Sequence, residues 1–190
     1  MIYQILFAYF DYKGLHLTEE CEIRLYERTQ AANHFKSSQD SSQEIAIDEM
    51  VADWFEDPNL PKPDITLLNE MLTFSPKAFN VIKEFIPESA EIFSIKLDNE
   101  VWHAVNFTEH SDNLIKTISD EITLTNASYD KSVTAELSFR DDIELPELLH
   151  IKAANGRFYC GEKLKKCILA NELTGITLTE NLIVADYSLI

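Results

Sequence analysis

Two stretches of the chain, about 85 residues apart, carry the same order of features, and this repeat constrains the fold more than any other pattern. The first is "FSPKAFNVIKEFI", from residue 74, and the second is "YCGEKLKKCILA", from residue 159. Each indicates a short strand, a tight turn, a helix and a second strand. A separation of this size indicates two modules rather than a solenoid. We therefore predict an α+β fold with mixed sheets, in which two similar strand-helix-strand units pack into one compact or two-lobed body.

The first unit contains the clearest helix signal. Ser75 is a favourable N-cap and Pro76 suits the first helical position. When the two units are aligned, Ser75 matches Cys160 and Phe79 matches Leu164. We expect Phe79 and Leu164 to be core residues, so alanine at either should cost about 2 to 4 kcal/mol. Cys160 is interpreted as a structural residue at a cap position, and serine there should change stability by less than about 1 kcal/mol.

Other segments predict strands and a domain boundary. The run "IYQILFAYF", from residue 2, predicts a strand. The runs "AEIFSIKL" and "EVWHAVNF", separated by DNE, predict a hairpin. The segment "DITLLNEML" is interpreted as a short helix capped by Asp64. The proline-rich "DPNLPKPD" predicts a boundary between an N-terminal lobe, residues 1–60, and a module containing both repeat units, residues 61–190.

Charge indicates which partners the chain favours. It has 33 acidic and 16 basic residues, a net charge of −17. Such a chain repels nucleic acid and anionic membranes and attracts a basic protein. Dense acid near two aromatic residues predicts a partner-binding surface. Its residues are Asp48, Glu49, Asp53, Trp54, Phe55, Glu56 and Asp57. Two alternatives stay open: Trp54 docks the N-terminal lobe on the core, or the partner binds the acidic stretch at Asp141, Asp142 and Glu144.

Catalytic motifs are sparse. The sequence contains no HExxH, Cys-x-x-Cys or phosphate-binding glycine loop, so we predict no catalytic, cofactor-binding or metal-binding residues. The main enzymatic alternative is Cys160 as a nucleophile, since a helix N-terminus lowers a thiol pKa. His150 is the nearest histidine in sequence. The adjacent carboxylates Asp120-Glu121 and Asp141-Asp142 are weaker candidates for metal ligands or general acids. The first residues lack the features of a signal peptide, which predicts a cytoplasmic protein with reduced cysteines.

A family resemblance rests on the order of these features. The sequence LP at 145–146 precedes "LLHI", then "RFYCGEKLKKCI", then LTG at 173–175 with "ITL". Earlier, "FSPKAFNVIKEFIPESAEIFSI" precedes "VWHAVNFTEHSDNL". Over about residues 65–180, this order resembles the immunity proteins of bacterial polymorphic toxin systems, in particular the broad group with myxobacterial members.

The resemblance implies a non-enzymatic cytoplasmic protein that binds and neutralises one cognate toxin. No catalytic residues come with the family. Two other classes stay open, namely an enzyme that uses Cys160 and an unrelated acidic protein-interaction module. The oligomeric state also stays open.

Overall fold

A computed structural model describes residues 1–24, 50–55, 59–108, 111–124, 131–154 and 156–188. Within these ranges the chain forms three sheets and three helices. Helix α1 is described over residues 19–24. Helix α2 (Pro76–Ile82) continues into a 3-10 turn, and α3 (Glu162–Ala170) lies near the C-terminal end.

The largest sheet has six strands in the order β2-β3-β6-β7-β5-β4. Neighbours are antiparallel except for the parallel pair β3 and β6. Its edge strands β2 and β4 contact each other, so the sheet is nearly closed. One apolar cluster fills its interior and includes Cys21 of α1. The strands are β2 (Leu15–Leu17), β3 (Met50–Trp54), β4 (Ile65–Leu68), β5 (Met71–Phe74), β6 (Glu91–Leu97) and β7 (Glu100–Asn106).

The second sheet has four antiparallel strands in the order β10-β11-β1-β12. The third has the order β13-β9-β8 and is also antiparallel. The strands of the second sheet are β1 (Ile2–Phe7), β10 (Leu148–Ile151), β11 (Arg157–Gly161) and β12 (Ile176–Thr179). Those of the third are β8 (Ile115–Leu124), β9 (Lys131–Phe139) and β13 (Ile183–Ser188).

The main core joins the first two sheets through the helices. Helices α2 and α3 contact each other, and the thiol of Cys167 in α3 donates to the carbonyl oxygen of Val81 in α2. A single cluster contains Ile82 and Leu164 from the helices together with Phe74 and Phe158 from the sheets. Burial of these apolar side chains is the main force that holds the two sheets together.

Strands from both sides of the proline-rich segment hydrogen-bond to each other. Strand β1 lies between β11 and β12, and β3 pairs with β6. Strands of residues 1–60 and strands of residues 61–190 therefore share two sheets.

The predicted α+β fold with two similar strand-helix-strand units is confirmed. Unit 1 consists of β4, β5, α2 and β6, and unit 2 consists of β10, β11, α3 and β12. In each sheet, one strand from outside the unit lies between two strands of the unit: the strand order is β4-β5-β7-β6 around unit 1 and β10-β11-β1-β12 around unit 2. Strand β1 therefore takes in unit 2 the place that β7 takes in unit 1.

The residue alignment of the two units was wrong by one position. Ser75 is the N-cap of α2, as predicted, but Gly161 rather than Cys160 is the N-cap of α3. The backbone confirms this match, because the amide of Ser75 donates to the carbonyl of Asp64 and that of Gly161 to the carbonyl of Glu147. Cys160 is a strand residue opposite Leu148.

The helix predicted for "DITLLNEML" was also wrong, because this segment is the β4–β5 hairpin. Asn69 and Glu70 have φ values of 46° and 67°, as a two-residue hairpin turn requires. Almost every residue of these two strands is buried, so the sequence lacks the alternation of apolar and polar residues that marks a half-buried strand. A short apolar run of this kind cannot be distinguished from a helix by its period.

The predicted hairpin of β6 and β7 is confirmed, with Asp98 and Asn99 both at positive φ in its turn. The first predicted strand is shorter than expected. Strand β1 ends at Phe7, so Tyr9 and Phe10 lie in the turn that follows.

Candidate partner-binding surface

The environment of Cys160 bears on the enzymatic alternative. Its side chain is 0% exposed and lies in the main core, between Leu148 and Tyr3 of the neighbouring strands. Burial, with a contribution from the nearby Glu147 carboxylate, raises the pKa of Cys160 to about 12. A thiolate is therefore disfavoured, whereas a nucleophilic cysteine requires a lowered pKa.

His150 is part of an aromatic stack. It lies opposite Phe158 across the β10–β11 ladder, and the two ring centroids are 4.6 Å apart. The ring of Phe107 lies 5.6 Å away. The residue opposite Cys160 is Leu148, so the register does not pair His150 with Cys160.

Of the seven residues predicted to bind a partner, the structure describes Asp53, Trp54 and Phe55. Asp48, Glu49, Glu56 and Asp57 lie outside the described residues. Asp53 is exposed on β3, opposite His16 of β2.

Trp54 packs on the interior cluster of the six-stranded sheet. Its ring lies edge-on to the buried Trp102, with centroids 5.3 Å apart. Its indole N–H donates to Asp98, which also pairs with Lys62 at 2.8 Å. The Lys62 ammonium and the Trp54 N–H hold the pKa of Asp98 below its usual range. Trp54 thus holds β3 against the β6–β7 hairpin.

Phe55 is 58% exposed and lies beside the segment that follows β1. Its ring centroid is 4.7 Å from that of His16. A Cβ atom at Gly14 would come within 2.6 Å of the Phe55 ring, so a larger residue at position 14 would displace that ring. Phe55 and the segment after β1 are therefore parts of one surface.

That segment, residues 8–14, is called the aromatic turn. Its backbone is fixed internally, because the amides of Asp11 and Tyr12 donate to the carbonyl of Ala8 at 3.1 and 3.2 Å. Three further bonds join it to the body. They run from Ala8 N to Gly175 O, from Lys13 N to Pro61 O and from Phe55 N to Gly14 O.

The aromatic turn presents apolar side chains to water. Phe10 is 96% exposed and Tyr9 is 55% exposed. Asp11 beside them is also exposed. Exposed aromatic residues flanked by charge are typical of protein interfaces. Sequence reasoning missed Tyr9 and Phe10 because it placed them in a strand, although Asp11 and Gly14 mark a turn nearby.

The alternative acidic surface is ion-paired. Asp141 accepts from Lys116 at 2.9 Å, and both oxygens of Asp142 accept from Arg140 at 2.9 and 2.6 Å. These four side chains line an open cavity of about 430 Å³. Glu144 is exposed nearby in sequence. The pairs reduce the net field that Asp141 and Asp142 offer a basic partner.

Metal binding finds no support within the described ranges, where no three His, Cys, Asp or Glu side chains form a group able to hold an ion. The side chains of Asp120 and Glu121 lie outside that description. No helix in the described part of the chain combines the length and apolar content needed to cross a membrane.

The chain was compared with protein-family models and with curated proteins. No protein-family model matches the chain, and no curated protein matches it at a significant level.

Proposed function

We propose that this chain is a cytoplasmic, non-enzymatic immunity protein that binds and neutralises a basic bacterial toxin. The observation that carries the proposal is the exposed aromatic surface, formed by Tyr9, Phe10 and Phe55, on a chain with a net charge of −17. A few residues supply most of the binding energy at protein interfaces, and aromatic side chains, including phenylalanine, are enriched at interface cores.

Charge supports a basic partner. A strongly negative field speeds the approach of a positive protein and makes the association rate fall as salt increases. The same field disfavours nucleic acid, whose phosphates are also negative. A toxin that itself acts on nucleic acid carries the positive surface that this field attracts.

The sequence resemblance to polymorphic-toxin immunity proteins agrees with this interpretation. It covers about residues 65–180, which hold both repeat units. The aromatic turn lies outside that range, in the N-terminal part of the chain.

The test uses the C-terminal domain of the protein encoded by the neighbouring upstream reading frame as the probe. We expect this domain to inhibit growth when expressed alone and to be neutralised when the present chain is co-expressed. The purified pair should form a complex whose association rate falls steeply between low and physiological salt. Growth inhibition that co-expression does not relieve, without complex formation at low salt, would contradict the proposal.

An enzyme and an unrelated interaction module predict different results. Neutralisation by an enzyme would be catalytic, so a small amount of the chain would inactivate an excess of the domain. Neutralisation by binding requires stoichiometric amounts. An unrelated module would not relieve growth inhibition at any ratio.

A further inference from the structure

We infer that Phe10 is the central residue of the toxin interface, where its ring enters an apolar pocket that basic residues surround on the toxin. This inference rests on the proposed function and names the part of the surface that performs it. Tyr9 and Phe55 would contact the toxin around that ring.

Exposure is the first step of the argument. Phe10 is 96% exposed, so its ring contributes almost no apolar burial to this fold. A buried phenylalanine ring, in contrast, is a large source of binding free energy. Within the described residues no other large apolar side chain is as exposed, and the next is Met1 at the chain terminus.

Rigidity is the second step. The backbone of the aromatic turn makes hydrogen bonds within itself and to Gly175 and Pro61. On its other side, the aromatic turn and residues Pro63 and Thr66 line one narrow cleft that has no space for a water molecule. Because the backbone is already fixed, binding costs little conformational entropy, and a phenylalanine side chain has only two torsions to order.

Charge is the third step, and it specifies the occupant. Asp11 is exposed next to Phe10, and Asp53 is exposed next to Phe55. Of the cations near this surface, Lys13 is half-buried within the aromatic turn and Lys62 pairs with Asp98 at 2.8 Å. The exposed charged residues beside Phe10 and Phe55 are therefore the carboxylates Asp11 and Asp53, which favours a pocket bordered by lysine or arginine.

Leu169 provides a matched control. It is 62% exposed, but it lies on α3 with the exposed cations Lys163 and Lys166 on the same helix. Although Lys166 pairs with Glu162 at 3.7 Å, these lysines make the surface around Leu169 less attractive to a basic partner than the aromatic turn. Alanine at either Phe10 or Leu169 removes an exposed apolar side chain, and only the Phe10 change should weaken binding.

The first experiment measures binding to the upstream C-terminal domain by surface plasmon resonance. We expect Phe10→Ala to raise Kd at least about tenfold, mostly through faster dissociation. Leu169→Ala should stay within about twofold, and the melting temperature of both variants should match the wild type because both side chains are exposed.

The outcomes separate the two proposals. If the wild type binds and Phe10→Ala binds equally well, the role of Phe10 is wrong and the immunity function stands. If the wild type neither binds nor neutralises the domain, both are wrong.

The second experiment compares two double variants, each of which removes two carboxylates from a different surface. Asp11→Asn with Asp53→Asn should slow association at low salt and flatten its salt dependence. Asp141→Asn with Asp142→Asn removes the same formal charge from an ion-paired site and should change the rate less. Equal effects from the two double variants would overturn the placement of the interface.

Discussion

Units 1 and 2 each place a carboxylate just before their first strand, at Asp64 and Glu147, but the two side chains have different partners. Glu147 accepts hydrogen bonds from the amides of Lys163 and Leu164, so it caps α3. It does so because the N-cap Gly161 has no side chain. In unit 1 the hydroxyl of Ser75 caps α2 instead.

Asp64 is therefore free to join the units. Its carboxylate accepts from the amide and hydroxyl of Thr174 in the segment after α3, each at 3.1 Å. It also accepts from Ser75 and Lys77. Because Ser75 caps α2, the Asp64 carboxylate is available to accept hydrogen bonds from Thr174. These bonds join unit 1 to unit 2.

A second pair of positions shows the same architecture built with different chemistry. In unit 1, Phe79 of α2 stacks on His103 of β7, with ring centroids 3.7 Å apart. In unit 2, the ammonium of Lys165 lies 3.7 Å from the ring centroid of Tyr3 in β1. Both contacts join the helix to the strand at the same place in the sheet, once through aromatic stacking and once through a cation–π interaction.

The largest expected effect comes from the helix positions that face the core. Leu164 is almost fully buried, whereas Phe79 is only partly buried. Leu164→Ala should cost about 3 kcal/mol and Phe79→Ala about 1 to 2 kcal/mol. Urea denaturation measures both values. Equal losses would contradict the shifted alignment, in which Leu164 matches the buried Ala78.

The next prediction compares the stability lost by substitutions at Cys160 and Ser75, which the sequence-based alignment had matched. A hydroxyl at position 160 would be buried without an assured partner, so Cys160→Ser should cost about 2 kcal/mol. This value exceeds the sequence-based expectation, because Cys160 lies in the core. Ser75→Ala should cost about 1 kcal/mol through loss of the cap.

Thiol labelling provides a separate readout. Cys160 should resist iodoacetamide at neutral pH until the protein is unfolded, since its thiol is buried and its pKa is raised. Fast labelling of the folded protein at Cys160 would contradict this placement and support the enzymatic alternative.

The last pair of substitutions compares the two carboxylates. Asp64→Asn should cost about 1 to 2 kcal/mol and Glu147→Gln about 1 kcal/mol, because the amide keeps part of the hydrogen bonding in each case. Thermal melts of both variants at pH 7 check the order.

The pH dependence distinguishes Asp64 further. Burial raises the pKa of Asp64, but hydrogen bonds from Lys77, Thr174 and Ser75 outweigh it and leave the pKa lowered. Its contribution to stability is present above the pKa of the unfolded chain and is lost as pH falls through the lowered value. Asp64→Asn should therefore lose less stability than the wild type on acidification. Parallel stability curves would contradict this role.

Local signals in the sequence predicted local structure well. The Ser75 cap and the turn before β7 depend on neighbouring residues, so they could be recognised directly. The β4–β5 hairpin could not, because strands buried on both faces lack alternation. Tyr9 and Phe10 continue an apolar run, and only the end of strand pairing at Phe7 shows that they leave the sheet. The pairing of β1 depends on residues far away in sequence, which no local pattern encodes.

The position of β1 has a consequence for synthesis. Strand β1 emerges from the ribosome before the strands that it pairs with, because β11 and β12 are synthesised more than a hundred residues later. At typical elongation rates this delay is on the order of ten seconds, during which the core-facing Tyr3 and Ile5 lack their strands. The β4–β7 segment is continuous in sequence and can form its hairpins early. Until β11 and β12 emerge, β1 is thus an exposed apolar strand, which makes unfinished chains prone to aggregation and suited to chaperone binding.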